Sequence, residues 1–573
     1  MYILGINAFH GDSSACILKN GEIIAASEEE RFRRIKHWAG FPSEAIKFCL
    51  KEADIDITQV DYITISRDPS ANLHKKIIHS VKNLVSVKAL KDRLANSRKV
   101  VSTKDELAKI FNVTEEEIKA EVKNVEHHRS HLASAFFASP FDESAILSID
   151  GFGDFTSTMI ATGKGNKIDV LDTVIYPHSA GIFYTSLTQY LGFPHYGDEY
   201  KVMGLAPYGE PKYVDQLKKI IIFKDNGLFE IDTKYFTHAK EGVTMSWENG
   251  DPFIESIFSK ELENLLGPAR QNGDELTQKH KDIATSVQRV TEELIFHILN
   301  HLQKRTGLEN ICIAGGVAQN SVANGKILER TSFKNMYIPA AGHDAGTAHG
   351  SALWLYNHIL GNDRLPAIYN AYTGLKASNE EIEAYLNEEK ISYKKYEEDE
   401  LIEVVSDALI DGKVIGWFQG RAEFGPRALG HRSIIVDPRR EDAKELLNSK
   451  IKRRESFRPF APSILEEYVS EYFEKDDKVP FMEKVYPIKK EKHAEIPAVT
   501  HVDGTGRLQS VAKGDRYYDL IEKFRQKTGT PILLNTSFNE NEPIVNTPKE
   551  AFACYLRTDM DMIVLENCVV SRS

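Results

Sequence analysis

Two histidines and two aspartates are the residues best suited to bind a metal ion. His127 and His131 are four positions apart in "EHHRSHLASAFFAS", so on a helix their rings share one face while His128 points elsewhere. Asp150 ends an apolar run at the turn "DGFGD", and Asp344 lies in "AAGHDAGTAHG". Two imidazoles and two carboxylates suit Fe(II), Mn(II) or Zn(II). Such a histidine pair is often incidental, but the aspartates favour a metal site; protease chemistry is disfavoured because HExxH is absent.

A glycine pair followed by two asparagines is a candidate nucleotide site. In "NICIAGGVAQNSVANGKI" an apolar run leads into Gly315 and Gly316, and a predicted helix after them carries Asn320 and Asn324. Glycines let the backbone approach a ligand closely, and N–H groups at the start of a helix can meet a phosphate. A generic tight turn explains the same glycines, so by themselves they decide nothing.

Residues 421–458 carry positive charge in an acidic chain. They contain eleven Lys or Arg against six Asp or Glu, a net of +5, whereas the whole chain has a net charge of −12. In "GRAEFGPRALGHRS" and "KIKRRESFRPFAPS" the basic residues alternate with Gly, Pro and apolar residues, which is unlike a solvated charge run. Guanidinium and ammonium groups suit phosphates and carboxylates, so we predict an anion site, with a structural ion-pair network as the alternative. The candidate ligands here and in "DGTGRLQSV" and "LLNTSFN" are Arg427, Lys452, Arg454, Arg458, Arg507, Asn535 and Ser537.

The apolar pattern predicts two copies of one strand–turn–strand unit to position these residues. The first copy comprises "YILGIN", the turn "HGDSS" and a hairpin in "ACILKNGEIIAASEE" joined at Asn20-Gly21. The second begins at "ESAILSIDGFGDFTSTMIATGKGNKIDVLDTV", about 140 residues later. An amphipathic helix over 283–302, closed by Gly307, follows. Together with the Gly-Gly segment, the duplication predicts an α/β fold of the actin/hexokinase type and favours the nucleotide interpretation.

The chain length requires more than one domain. A single core stops growing efficiently beyond about 250–300 residues, and the chain has 573. A turn-rich stretch with Gly361, Pro366 and Gly374 precedes a charged helical pattern, where we place a joint at 366–395. The predicted domains are therefore 1–365 and a smaller α/β domain, 396–573, in which strands such as "VIGWFQG" and "PILLN" alternate with helices.

Composition excludes several classes of protein. With 42% hydrophobic and 27% charged residues, the chain is neither disordered nor fibrous. Its acidic balance argues against broad binding of nucleic acid or membrane surfaces, although residues 72–100, with eight Lys or Arg and one Asp, form either a solvated helical hairpin or a local RNA contact. Five cysteines in apolar stretches indicate a reducing compartment, and no apolar run is long enough to span a membrane, so we expect a cytoplasmic protein.

The ordered motifs resemble one enzyme family along nearly the whole chain, from about residue 4 to 568. They resemble the O-carbamoyltransferases that modify nodulation factors, cephalosporins, aminoglycosides and ansamycins. The matching segments are "SEEERFRRIKH", "EHHRSHLASAF", "KVMGLAPYG", "AGGVAQNSVANGK", "GRAEFGPRALGHRS", "RRESFRPFAPS" and "LNTSFNENEPIV".

This resemblance implies a fold and a two-step reaction. The N-terminal domain would be similar to tRNA threonylcarbamoyltransferases and the C-terminal domain to threonylcarbamoyl-AMP synthase. The C-terminal domain would convert carbamoyl phosphate and ATP, which carries Mg, into carbamoyl-AMP. The N-terminal domain would transfer the carbamoyl group to a hydroxyl of a small-molecule acceptor beside a divalent metal, with Fe(II) favoured.

The resemblance also implies roles for individual residues. The metal ligands would be His127, His131, Asp150 and Asp344. The adenylate would be faced by Lys36, Lys201, Gly315, Gly316, Asn320 and Asn324. Carbamoyl phosphate or ATP would be bound by Arg427, Lys452, Arg454, Arg458, Arg507, Asn535 and Ser537. The catalytic residues would be His10, Lys36, Lys452 and Arg458.

One spacing departs from the family pattern, and some alternatives stay open. Many members have His directly before Asp in the first turn, whereas here Gly11 separates His10 from Asp12. The alternative functions are a small-molecule kinase of the same fold, a tRNA-modifying carbamoyltransferase and a non-enzymatic nucleotide-dependent module. Nucleic acid and membranes are not expected partners, and a homo-oligomer is compatible with the sequence. Acceptor specificity is expected in the 223–280 insertion and in loops near 185–200, where the candidate aromatic residues are Tyr184, Tyr190 and Tyr196.

Overall fold

The computed structural model describes residues 1–76, 103–243, 245–246 and 248–572. The chain divides into two units, Met1–Ile368 and Tyr369–Ser573. Most of the lysine-rich stretch 72–100, predicted as a helical hairpin or an RNA contact, lies outside the described residues.

The first unit contains two five-stranded sheets of the same topology. One has the strand order β3-β2-β1-β4-β5 and the other β14-β13-β6-β7-β8. In each, three antiparallel strands are followed by two parallel ones, so the predicted duplication is confirmed. The strands of this unit are β1 (Tyr2–Asn7), β2 (Ser14–Lys19), β3 (Glu22–Glu28), β4 (Tyr62–Ile65), β5 (Glu121–Asn124), β6 (Glu143–Gly153), β7 (Thr156–Lys164), β8 (Lys167–Ile175), β9 (Ile221–Phe223), β10 (Phe229–Ile231), β11 (Met245–Ser246), β12 (Phe253–Ile254), β13 (Asn310–Ala314) and β14 (Asn335–Tyr337).

Turns and helix caps follow the local signals of the sequence. Asn20 and Gly21 have φ of 51° and 90°, which is the left-handed geometry that a two-residue hairpin needs. The predicted amphipathic helix is Gln278–Thr306, and Gly307 ends it with φ of 70° and an N–H bond to Gln303 O of 2.7 Å. The α-helices of this unit are Glu30–Arg33, Ser43–Glu52, Thr103–Phe111, His127–Phe136, Ala180–Tyr190, Glu199–Leu205, Val214–Leu217, His238–Glu241, Lys260–Leu266, Gln278–Thr306, Ser321–Asn324, Ile327–Arg330 and Gly346–Leu353.

The histidine helix and the helix that follows Asp344 pack closely because a glycine removes the side chain between them. A Cβ on Gly350 would lie 1.9 Å from Ser130 O, so helix Gly346–Leu353 touches helix His127–Phe136 through backbone. On the first sheet, a Cβ on Gly5 would lie 2.0 Å from Ala348 O of the same helix. Helix Gly346–Leu353 therefore holds strand β1 and the histidine helix at fixed distances.

The segment after the glycine pair differs from the predicted helix. It forms a 3-10 turn, Gly316–Gln319, and then a four-residue helix, Ser321–Asn324. Asn320 lies between them with ψ of 81°, outside the helical range, and its side chain accepts the N–H of Ala323. Asparagine competes with helical hydrogen bonds in this way, which explains the interruption.

The second unit is a sheet covered on both faces by helices. Strand order is β15-β24-β23-β16-β17-β22-β18-β21. In β16 the side chains of Ile415 and Trp417 enter one core and that of Phe418 enters the other, as alternation along a strand requires. A separate two-stranded sheet pairs β19 with β20. The strands of this unit are β15 (Lys394–Lys395), β16 (Ile415–Phe418), β17 (Arg432–Val436), β18 (Ala461–Leu465), β19 (Tyr486–Pro487), β20 (Thr505–Gly506), β21 (Gln509–Val511), β22 (Ile532–Ser537), β23 (Met562–Leu565) and β24 (Cys568–Ser571).

Helices of the second unit begin before residue 396. Helix Asn379–Glu388, which falls within the stretch predicted as a joint, contacts helix Pro548–Arg557 through Tyr385 and Phe552, whose ring centroids are 6.5 Å apart. The α-helices of this unit are Asn379–Glu388, Glu398–Ile410, Ala443–Leu446, Val469–Tyr472, Arg516–Thr528 and Pro548–Arg557. Across the described residues of both units, every helix is too short or too polar to traverse a bilayer, and all five cysteines are buried.

Candidate functional site

Four candidate metal ligands from three elements meet in the first unit. His127 and His131 lie on one face of helix His127–Phe136, Asp150 lies in β6, and Asp344 lies just before helix Gly346–Leu353. One donor atom from each lies within 4.8 Å of the others, and all four residues are buried. The structure thus brings together four residues that are up to 217 positions apart in sequence (127 to 344).

The geometry of these four side chains fits a bound cation. His127 Nε2 and His131 Nε2 are 3.1 Å apart, and His131 Nε2 is 3.0 Å from Asp150 Oδ2. Asp344 Oδ1 lies 3.3 Å from His131 Nε2, and it is buried without a hydrogen-bond partner among the described residues. Two imidazole nitrogens and two carboxylate oxygens that converge in this way form a donor set suited to a divalent cation with N/O preference.

The electrostatics of the cluster agree with a cation site. Burial alone lowers the pKa of His127, but the neighbouring carboxylates of Asp150 and Asp344 raise it well above its usual value. Burial raises the pKa of Asp150, yet the two histidines bring it down to about 2. The carboxylates are therefore held ionised, ready to bind a cation.

His128 has a separate, structural role, as its sequence position predicts. Its Nδ1 lies 2.7 Å from Ser148 Oγ and its Nε2 lies 3.0 Å from Thr156 O. Burial and the neighbouring His127 and His131 hold its pKa well below the usual value. The ring is therefore a neutral bridge from the helix to the second sheet.

His10 reaches the cluster despite the intervening Gly11. Its Nδ1 is 2.6 Å from Asp344 Oδ2, and its Nε2 is 3.3 Å from Phe152 O. The carboxylate orients the imidazole in the way that a histidine base requires. The altered spacing therefore leaves His10 beside the candidate metal ligands.

Asp12 pairs with a histidine that the sequence interpretation did not select. Its Oδ1 is 2.7 Å from His37 Nδ1. Burial lowers the pKa of His37, but the charges of Asp12 and Glu30 outweigh it and raise that pKa to about 9. Asp12, Glu30 and His37 form a second group that could hold a metal, and the protonated His37 balances one of its two carboxylates. His37 stands in the basic segment "RRIKHW", but no spacing in the sequence indicates that it pairs with Asp12.

Of the three candidate tyrosines, Tyr196 alone faces the first turn. Tyr184 is buried and donates to Gln288 Oε1 at 3.1 Å, and Tyr190 is buried and donates to Gly267 O at 2.8 Å. A Cβ on Gly11 would lie only 2.3 Å from Tyr196 Oη, so glycine leaves the space that this hydroxyl fills. Burial raises the pKa of Tyr196 well above its usual value, as do the nearby carboxylates of Asp344 and Asp12.

The glycine pair lies against the aspartate turn of β6. Gly315 has φ of 106°, and a Cβ there would lie 2.2 Å from Ile149 O. A Cβ on Gly316 would lie 2.7 Å from Asp150 Oδ1, so the backbone of this turn adjoins a candidate metal ligand. The segment predicted to face a nucleotide and the predicted metal site are thus neighbours.

The other predicted adenylate residues have protein partners. Asn320 exchanges two hydrogen bonds with Gln288, at 2.9 and 3.0 Å, and Asn324 Nδ2 donates to Ala318 O at 2.7 Å. Lys201 forms a 2.8 Å ion pair with Asp198, whereas Lys36 is exposed next to His37. The two asparagines therefore fix the shape of the segment, and their roles toward a nucleotide stay predictions.

In the second unit, four of the predicted arginines lie together. Burial lowers the pKa of Arg507 well below its usual value, and the charges of Arg427, Arg454 and Arg458 add to the effect. Arg507 Nε is buried without a hydrogen-bond partner among the described residues. A cluster of four guanidinium groups with an unsatisfied donor is suited to a polyanionic ligand.

Lys452 and Asn535 are buried polar residues of the same unit, and Ser537 beside them is half-buried. The Lys452 ammonium is only 1% exposed and donates to Asn539 O at 2.7 Å and Asn539 Oδ1 at 2.6 Å, as well as to Ser537 O. Asn535 Nδ2 donates to Ser463 Oγ at 3.0 Å, and its Oδ1 has no partner among the described residues. Lys452 therefore holds the turn after β22 in place.

Glu423 organises the basic loop, a role that the sequence analysis did not predict. Its Oε1 accepts the backbone N–H groups of Leu429, His431 and Arg432 at 2.7, 3.0 and 3.2 Å. One buried carboxylate thus shapes the loop that presents Arg427. An acidic residue in a basic stretch is easily mistaken for a simple charge partner.

Two family models match the chain. The model "Carbamoyltransferase N-terminus" matches residues 2–353 and "Carbamoyltransferase C-terminus" matches residues 406–572. The uncharacterized protein sll1178 of Synechocystis sp. is 41% identical, over 100% of this chain and 97% of its own length. Nodulation protein NolNO of Sinorhizobium fredii is 36% identical over 99% of this chain and 80% of its own. Nodulation protein NolO of Bradyrhizobium diazoefficiens is 40% identical over 77% of each chain.

Proposed function

Because this chain belongs to the carbamoyltransferase family, we propose that it is an ATP-dependent O-carbamoyltransferase acting on a hydroxyl of a small-molecule acceptor. The observation that carries the proposal is the convergence of His127, His131, Asp150 and Asp344, with His10 Nδ1 within 2.6 Å of Asp344 Oδ2 and the Gly315-Gly316 turn alongside. This arrangement supports carbamoyl transfer from an adenylate beside a metal.

Activation of the carbamoyl group belongs to the second unit in this proposal. Water displaces phosphate from carbamoyl phosphate to leave carbamate, whose oxygen attacks the α-phosphate of Mg-ATP and releases pyrophosphate. The products are carbamoyl-AMP, phosphate and pyrophosphate. The arginine cluster around Arg507 neutralises the two polyanions, and Lys452 and Ser537 hold the adjoining turn.

Transfer belongs to the first unit. A divalent metal, with Fe(II) favoured, would be held by the two histidines and two aspartates and would polarise the carbonyl oxygen. Such charge stabilisation is worth several kcal/mol. His10, with Asp344 beside its Nδ1, is the proposed base: its Nε2 takes the acceptor proton once the acceptor hydroxyl replaces Phe152 O as the partner of that nitrogen, a contribution of about 10²–10⁴-fold. AMP is the leaving group, and the backbone around Gly316 together with Lys36 and Lys201 holds it.

The decisive experiment identifies the products formed from ATP and carbamoyl phosphate. We expect AMP, pyrophosphate and phosphate together, measured by ³¹P NMR and anion-exchange chromatography. ADP alone would replace the proposal with a kinase, and no turnover would indicate a binding module. Tight, salt-dependent binding of tRNA would favour tRNA as the acceptor.

Two variants separate the half-reactions. We expect His127→Ala to lose metal binding and transfer but to keep AMP and pyrophosphate formation, since His127 lies outside the second unit. We expect Lys452→Ala to do the opposite. If both variants lose the same half-reaction, the division of labour between the two units is wrong.

A further inference from the structure

Residues 66–72, which follow strand β4, are hydrogen-bonded to the turns that carry the candidate transfer-site residues. None of these residues is itself a candidate ligand. Their contacts run to three separate stretches of chain: residues 7–9 before His10, Thr347 in the helix after Asp344, and Asp154 in the turn that follows β6. The sequence pattern of this segment, "SRDPSAN", gives no sign of such a role.

The first turn is held by Arg67 and Ser66. Arg67 Nη1 donates to Phe9 O at 3.1 Å, and Phe9, with φ of 57°, immediately precedes His10. Ser66 Oγ donates to Asn7 Oδ1 at 3.2 Å, and Asn7 Nδ2 donates in turn to the carbonyl of Asp12 at 3.0 Å. The backbone on both sides of His10 is therefore tied to the segment 66–72.

The Asp344 turn is held through Thr347. The Thr347 hydroxyl lies 2.9 Å from Ser66 Oγ and 2.6 Å from Asp344 O. All three residues are buried. The Thr347 N–H also donates to Asp344 O, at 3.0 Å, so the Thr347 hydroxyl proton can go to Ser66 Oγ. Ser66 thus contacts Asn7, at the end of β1, and Thr347, in the helix that follows Asp344.

Asp154 links the segment to the histidine helix. One carboxylate oxygen, Asp154 Oδ2, accepts the N–H of Asp68 at 2.7 Å and the N–H of His127 at 3.0 Å. Asn72 Nδ2 donates to Asp154 O at 3.1 Å and to Thr156 Oγ1 at 3.2 Å. Asp154 and Phe155 are the two loop residues of the β6–β7 hairpin, and their positive φ values, 49° and 74°, are those that a two-residue hairpin turn requires.

We propose that Asp154 and the segment 66–72 form a positioning element that sets the spacing of the candidate metal ligands. The inference rests on the metal site of the proposed function. Asp154 follows Asp150 in the same hairpin, and its Oδ2 binds the N–H of His127, the first residue of the histidine helix. Removal of this carboxylate would therefore shift the start of the helix relative to Asp150. Residues behind metal ligands commonly alter metal affinity by about 10–100-fold through such orientation.

The test uses cobalt(II) alone as the probe on the full chain. Asp154→Ala removes the shared acceptor, whereas Asp154→Asn keeps a carbonyl oxygen that can accept both N–H groups. We expect Asp154→Ala to weaken cobalt binding about 10–100-fold and to change the visible absorption of the bound cobalt. We expect Asp154→Asn to remain within about threefold of the unchanged protein. Asp169→Ala, which removes an exposed aspartate of β8 in the same sheet, is the control and should bind cobalt normally.

Ser66→Ala provides a second variant if Asp154→Ala fails to fold. It removes one hydroxyl and its bonds to Asn7 and Thr347, and we expect a weaker loss of cobalt affinity in a folded protein. Unchanged affinity and spectrum in folded Asp154→Ala or Ser66→Ala would overturn the positioning role, as would failure of the unchanged protein to bind cobalt. Absence of AMP formation together with normal cobalt binding would instead contradict the proposed function alone.

Discussion

The pair Asp12–His37 shows how strongly one contact changes the protonation of a residue near the candidate site. A histidine whose side chain is 30% exposed would ordinarily titrate near neutrality, but a carboxylate 2.7 Å away keeps it charged to about pH 9. The positive charge of His37 also offsets the negative charge of Asp12 near the candidate metal ligands. The protein thus carries a fixed positive charge here without using lysine or arginine.

We predict a pH dependence of stability that originates in His37. Its pKa rises from 6.5 in the unfolded chain to about 9 in the folded protein, so its contribution is complete below pH 6.5 and is lost as the pH rises through 9. We expect that loss to be about 1–2 kcal/mol, because solvent screens a partly exposed pair. Urea unfolding at pH 6 and pH 9 measures it, and His37→Gln should lose less stability over that interval. Equal losses in both proteins would contradict the assignment.

Among the elements, the turn after β13 depends most on one residue type. Gly315 combines a left-handed φ with backbone approach to Ile149 O, and both features exclude a side chain. The turn brings Gly316 beside Asp150 and starts the segment that Asn320 then interrupts. Close packing of backbone on backbone, rather than helix propensity, therefore determines the conformation here.

We predict that Gly315→Ala is far more damaging than a matched glycine substitution elsewhere. Gly307 also has positive φ, of 70°, but a Cβ there meets nothing within 4 Å. Gly307→Ala should cost about 1–2 kcal/mol from the left-handed backbone alone, whereas Gly315→Ala should cost about 3 kcal/mol or more because overpacking is added. Denaturant unfolding of the full chain measures both. Similar costs would mean that the backbone at Gly315 relaxes freely.

At the scale of the whole molecule, the chain consists of two units with different chemistry and separate cores. The first carries the His/Asp cluster and the second carries the arginine cluster around Arg507. The net charge of the whole chain, −12, does not reveal the arginine cluster, because the excess of acidic residues lies elsewhere in the chain. Ligands of one unit should therefore stabilise that unit preferentially.

We predict that cobalt(II) and carbamoyl phosphate raise different thermal transitions. At about 100 times its dissociation constant a ligand stabilises its unit by about 2.7 kcal/mol. Differential scanning calorimetry should therefore show one transition shifted by cobalt and another by carbamoyl phosphate. His127→Ala should abolish only the cobalt shift. A single transition raised equally by both ligands would contradict independent units.

The sequence by itself determined the elements whose signals are local. The Asn20-Gly21 hairpin, the helix closed by Gly307 and the face shared by His127 and His131 follow from turn chemistry and helical period. The duplicated strand pattern also identified the α/β fold of the first unit, because each copy carries its own turns. The family motifs, which are spread along the chain, added the prediction that the protein transfers a carbamoyl group.

The tertiary structure alone decided which distant groups meet. Asp12 finds His37 across 25 positions and Asp154 accepts the N–H of Asp68 across 86, and nothing in the local sequence encodes these partners. The sequence likewise does not predict that one oxygen of Glu423 accepts several backbone N–H groups of the basic loop. Local patterns record propensity and period, whereas hydrogen bonds between turns arise only when packed sheets and helices bring those turns together.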